Sequence, residues 1–265
     1  SAASDVYKRQ AYQSDFNKQT LADINHWVKD KTDGMIDKIV DEIDPSTVMY
    51  LINALVFDAE WDRVYTKGEV INGDFTAQNG AVRSVKMMCS AETKYLRDEN
   101  AIGFIKNYKD GKYSFAALLP NEKISVGDYI ASLSGTRLLS MLSDAEDAHV
   151  TVRLPKFTYD YSVGMNDALK KMGMPTAFSG EKADFSKLGS ASDGNIYIGD
   201  VLHKTFISVD ELGTKAGAVT KVEMKAESAM PSGYNVTLDR PFVYAIIDNS
   251  TNLPIFLGAA LDIGK

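Results

Sequence analysis

The sequence is almost without cysteine. Cys89 stands alone, so no internal disulfide can form and the redox compartment is left open. Histidine is nearly as scarce: His26, His149 and His203 are the whole supply. None has a Cys or carboxylate at metal-ligand spacing. The motifs G-x-S-x-G, H-E-x-x-H, C-x-x-C, the P-loop and G-x-G-x-x-G are missing. An enzyme therefore has no residue-level support, and no catalytic residue, metal or cofactor is expected. No apolar run approaches the length of a membrane span. Basic runs are also lacking, and the net charge is −7 with a pI near 5.1. Such a field opposes nucleic acid and anionic lipid, so neither is expected as a partner.

What is present is ordinary globular material, 265 residues with 45% hydrophobic and 25% charged. No composition break reads as a linker, and no internal repeat occurs. Ser1–Gln10, "SAASDVYKRQ", reads either as a polar surface segment or as a non-native scar from cloning or assembly. Asn17–Ile43 has helical spacing at Leu21, Ile24, Trp27 and Val28. It is interrupted at Thr32-Asp33-Gly34 and resumes at Ile36, Ile39, Val40 and Ile43. Val48–Phe57 is an apolar run of strand formers, expected to be covered on both faces, with Asn53 held in a small polar cluster. Ile102–Tyr108 and Tyr113–Leu119 flank Asp110-Gly111, a two-residue hairpin signal. Val126–Leu142 reads as one helix despite Gly135. Strands follow around Val150–Leu154 and Phe157–Tyr161, then a short helix Asn166–Met172 closed by Gly173. Further strand lies in Ile196–Val209, and a last hairpin joins Pro241–Ile247 to Ile255–Ala260. The expected fold is a single mixed α+β domain with mostly antiparallel sheets.

Residues Asp210 to Pro231, "DELGTKAGAVTKVEMKAESAMP", fit neither a core strand nor a turn-rich loop. Thr214, Ala216, Ala218, Thr220 and Val222 form one face of a period-2 pattern, all small or β-branched. The alternate positions are mostly polar. As a strand, the small face would tuck under a helix layer with little steric demand. The same segment could lie outside as a loop, or be an ordinary edge strand. Being fit for two states makes it a candidate switch.

These residues also carry a family resemblance. "VDELGTKAGAVT" resembles the reactive-loop hinge of the serpins, and "LDRPFVYAIIDNSTNLPIFLGAALD" resembles their C-terminal signature. "INHWVKDKTDGMI", "TVMYLINALVFDAEW", "LPKFTYDY" and "LHKTFISVDE" resemble a helix and strands of that family in the right order, with Gly-Thr-x-Ala-Gly-Ala closer to bacterial members. The resemblance implies a serpin-like fold with an exposed reactive-centre loop, lacking the N-terminal helices of the family. It covers nearly everything after Phe16. It implies an inhibitor that traps a serine protease by loop insertion. The alternatives are a non-inhibitory serpin, or an inactive C-terminal piece of a longer one. It implies hinge roles for Glu211, Gly213, Thr214, Ala216, Gly217, Ala218 and Thr220. It implies structural polar or aromatic roles for Asn53, His203, Lys156 and Trp61, with Lys156 close to Glu211 and Asn53 close to His203. Family spacing puts the scissile bond at Glu227-Ser228, with Ala229 and Met230 as alternatives. The partner is then a serine protease, elastase-like or specific for an acidic residue, and the resemblance favours an extracellular or cell-surface location.

Overall fold

The computed structural model describes residues 11–44, 47–191, 194–214 and 233–263. In chain order the elements are α1 (Lys18–Lys31), β1 (Tyr50–Val56), β2 (Ala59–Glu60), β3 (Val70–Thr76), β4 (Val82–Arg97), β5 (Ala101–Asn107) and β6 (Tyr113–Pro120). Then come α2 (Val126–Ser132), α3 (Gly135–Ser143), β7 (Glu146–Pro155), β8 (Phe157–Gly164), α4 (Asn166–Lys171) and β9 (Asp200–Val209). The chain closes with β10 (Gly213–Thr214), β11 (Tyr234–Thr237), β12 (Phe242–Asp248) and β13 (Leu253–Ala260). Two compact units result, Ser1–Val56 with Tyr159–Phe206, and Phe57–Thr158 with Ile207–Lys265. No described helix is long and apolar enough to cross a membrane.

In the first unit, Asn17 starts α1. Its side-chain oxygen accepts from Gln19 N at 2.8 Å and Thr20 N at 3.1 Å, while Thr20 Oγ1 accepts from Asn17 N at 3.2 Å. This reciprocal cap satisfies donors the helix cannot. Past Lys31, Thr32 Oγ1 donates back to Val28 O, and Asp33 and Gly34 take φ of 49° and 76°. The helical spacing of Ile36, Ile39, Val40 and Ile43 is not realised as a helix. Ile39 N and Val40 N instead donate to Asn25 Oδ1 at 2.9 and 3.1 Å, and Asn25 Nδ2 donates to Val40 O at 2.9 Å. With those backbone groups satisfied from the side, Ile36, Ile39 and Val40 bury against Val28 without a helical ladder.

β1 pairs in parallel with β9, from Tyr50 opposite Asp200 to Val56 opposite Phe206. Ile52, Ala54, Val56, Leu202 and Phe206 pack on the Val28 cluster. Among the described residues only one face of β1 is covered. On the alternate face Leu51 is 39% exposed and Asn53 is exposed, because an apolar run names a strand but not the layers that cover it.

In the second unit, the sheet order is β11-β7-β4-β5-β6-β12-β13, with β3 also on β4. Its ladders are antiparallel except β11 with β7. Tyr129, Leu138, Met141 and Leu142 of α2 and α3 bury against Leu96, Ala116, Leu118, Val243, Ala245 and Ile247. Phe115, Phe157, Phe242 and Tyr244 form a ring cluster. Val126–Leu142 is two helices rather than one. Leu133 leaves helical geometry at φ −84° and ψ 102°, and Ser134 Oγ accepts from Arg137 N to begin α3. A serine able to cap competes with helix continuation. The β5–β6 connection runs through Tyr108–Lys112, longer than the expected two residues. Gly111 has φ 63° but Asp110 does not turn positive, as a type I′ turn would require.

Candidate functional site

The chain reverses sharply where β9 ends. Asp210 Oδ1 accepts from Leu212 N at 2.8 Å and Gly213 N at 3.2 Å, and Asp210 N donates to Gly213 O at 2.9 Å. This Asx-type turn sends Gly213–Thr214 back antiparallel to β9, with Thr214 opposite Val209. On its other edge β10 meets β2, with Gly213 opposite Glu60 and Thr214 opposite Ala59. Gly213 is obligatory: a Cβ there would lie 2.1 Å from Ala59 O. Thr214 is fully buried, with a strand on either side.

The turn is gripped at three consecutive carbonyls. Trp61 Nε1 donates to Asp210 O at 2.9 Å, Tyr65 N to Glu211 O at 2.8 Å, and Trp61 N to Leu212 O at 2.9 Å. The Trp61 ring stacks on Tyr108 at 4.5 Å and 11°. Tyr108 Oη and Thr214 Oγ1 share a buried hydrogen bond of 2.6 Å. Burial pushes the Tyr108 phenol far above its ordinary value, partly offset by the Thr214 bond, so it stays neutral. Glu211 pairs with Lys156, whose hydrogen bond holds the carboxyl below the usual range against the opposing effect of burial. Beneath the grip, Lys106 Nζ binds Glu92 Oε1 at 2.8 Å and lies 4.6 Å from the Tyr65 ring centroid and 5.4 Å from that of Trp61. Ser90 Oγ donates to Glu92 at 2.7 Å and meets Tyr65 Oη at 3.2 Å. A desolvated cation–π contact contributes about 2 kcal/mol, against roughly 0.5–1 kcal/mol at an exposed site.

In the first unit, Asn53 and His203 are register partners across β1 and β9. Burial pushes the His203 imidazole below its ordinary pKa. The structure thus brings Glu211 to Lys156, Trp61 to the turn, and Asn53 beside His203. Asn53 is exposed rather than enclosed in a cluster. Ala216, Gly217, Ala218, Thr220, Glu227, Ser228, Ala229 and Met230 lie outside the described residues. Sequence reasoning missed Asp210, Tyr108, Lys106 and Glu92. The Asp210-x-x-Gly213 turn was readable as an Asx signal. The others act across long separations and leave no local trace.

Gly213–Thr214 is thus a two-residue strand held between β9 and β2. The sequence model of the serpin (serine protease inhibitor) family matches residues 1–263, and the chain belongs to that family. Serpin B10 of Sorex araneus is 30% identical over 247 residues, covering 91% of this chain and 62% of the relative. The crystal structure of the thermophilic serpin tengpin in its native state is 52% identical, covers 97% of this chain and 66% of that one, and superposes with a TM-score of 0.92. Tengpin in its latent state gives 46% identity, 98% and 69% coverage, and a TM-score of 0.79. The mixed α+β architecture is thus the serpin fold, and the chain spans about 62% of the length of the first relatives it matches.

Proposed function

We propose that this chain carries the trapping apparatus of a serine-protease inhibitor. The observation that supports it most is Thr214, buried at the end of the short strand Gly213–Thr214 between β9 and β2. A protease attacking a bond in residues 215–232 would form an acyl-enzyme, its serine oxygen bonded to the new carbonyl end. The freed segment would then extend β10 as a middle strand and carry the protease with it. Serpin loop insertion is itself a standing example of strand addition and released strain.

The register supports this independently. Continuing antiparallel from Thr214 opposite Val209 puts Ala216 opposite Ile207, Ala218 opposite Thr205 and Thr220 opposite His203. Continuing from Thr214 opposite Ala59 puts Ala218 opposite Leu55 and Thr220 opposite Asn53. Asn53 and His203 are already partners, as are Leu55 and Thr205, so the two extrapolations agree. The small residues then share a face with Asn53 and His203, whereas α1 packs on the alternate positions Leu202 and Phe206. Insertion would replace the parallel β1–β9 ladder by two antiparallel ladders, each somewhat more stable per residue.

The cleaved bond is Glu227-Ser228, with Ser228-Ala229 and Ala229-Met230 next, and the target takes an acidic or a small residue. The test is incubation of the full-length protein with elastase-like and acidic-specific serine proteases. An SDS-stable complex releasing a peptide that begins within Ala226–Met230 is expected. Cleavage without complex would indicate a non-inhibitory serpin, and would overturn the reading.

A further inference from the structure

The buried Lys106–Glu92 pair has no part in protease attack or in the inserted strand. Its side chains are 3% and 12% exposed, and a charge pair at that depth gives the fold no more stability than a well-packed apolar pair. Its position is what distinguishes it. Lys106 Nζ lies against both aromatic residues whose donors hold the carbonyls of Asp210, Glu211 and Leu212. Trp61 in turn stacks on Tyr108, which holds the Thr214 hydroxyl. One ammonium therefore contacts each branch of the grip on the turn, and Glu92 with Ser90 fixes that ammonium and Tyr65 Oη in place.

We propose that Lys106 is a positioning residue for the loop hinge: its ammonium, anchored by Glu92, holds Trp61 and Tyr65 so that Gly213–Thr214 stays seated between β9 and β2. The functional part of this rests on reading Gly213–Thr214 as the start of an inserting strand. With the hinge seated, insertion begins from a formed first pair. With the brace removed, that pair must form after cleavage, and more of the attacked molecules are hydrolysed before the protease is trapped.

The test uses the full-length protein and two variants, Lys106→Met and the charge-neutral pair Lys106→Met/Glu92→Gln. The single variant leaves a buried carboxylate unpaired and serves as the destabilised control. The double variant is expected to melt like wild type, since no charge is left uncompensated. Hydrogen exchange of the peptide Val209–Thr214 should still rise roughly tenfold or more, with exchange in β6 and β12 unchanged. The fraction of attacked inhibitor recovered as SDS-stable complex should fall severalfold. Unchanged exchange at Val209–Thr214 in the double variant overturns the proposal, and so does a rise spread equally over β6 and β12. If exchange rises locally but wild type traps no protease, the brace stands and the inhibitor reading falls.

Discussion

β1 and β6 are both short apolar strands, and the sequence presents them alike. In β6 every residue from Ser114 to Pro120 is buried, flanked by β5 and β12 with α2 and α3 over one face. In β1 no residue reaches full burial; its ladder to β9 is parallel, and Leu51 and Asn53 lie open. Seven apolar-rich positions thus make a core strand in one unit and a strand with one open face in the other. The β1–β9 ladder is the one that the proposed insertion must part.

Core truncation should separate them most. Phe115→Ala removes a fully buried ring that contacts Trp61, Phe104 and Tyr244, and should cost about 3–5 kcal/mol. Leu51→Ala, at a position already 39% exposed, should cost under about 1.5 kcal/mol. Urea unfolding of this 265-residue chain checks both, and equal losses would erase the contrast. Thr214→Arg comes next. It places a guanidinium where the side chain is fully buried against Tyr108, and should turn inhibition into plain cleavage by roughly tenfold or more. Undiminished SDS-stable complex would show that the hinge is not seated as described. Tyr108→Phe is gentler. It strands the buried Thr214 hydroxyl and should cost about 1–3 kcal/mol, read as lowered melting with faster local exchange.

The limits of sequence reading follow from the range of each interaction. α1, the β5–β6 pair and the C-terminal hairpin are encoded by spacing and turn residues within a few positions. The turn into β10 was legible through Glu211, Gly213 and Thr214 as part of a family pattern. Ile36–Ile43 was misread because its apolar spacing suits a helix, while Asn25 satisfies the backbone from elsewhere in the chain. The break before Gly135 depends on whether Ser134 caps or continues a helix, a choice that neighbouring residues alone leave open. Tyr108 and Thr214 are 106 positions apart, and no local pattern links them.

The smallest effects are those of pH, and they set the two units apart once more. In the first unit, burial holds His203 below its ordinary pKa, so the folded state prefers the neutral ring. Stability from that group is complete above the unfolded value of about 6.5 and is lost as pH falls below it. In the second unit Glu211 is held low by Lys156. Its contribution is complete above the unfolded value of about 4.3 and is lost as pH falls through the lower folded one. The Lys156 and Glu211 side chains are 34% and 39% exposed, so screening keeps the pair under about 1 kcal/mol. Melting of the full-length protein between pH 3 and 8 should therefore show two separate losses. His203→Gln should remove the one that begins near neutrality. Glu211→Gln should lower the plateau slightly and flatten only the most acid part of the curve. If Glu211→Gln instead changed the slope of the curve above pH 5, its carboxyl would be titrating above the unfolded value, and the ion pair would not be what holds it.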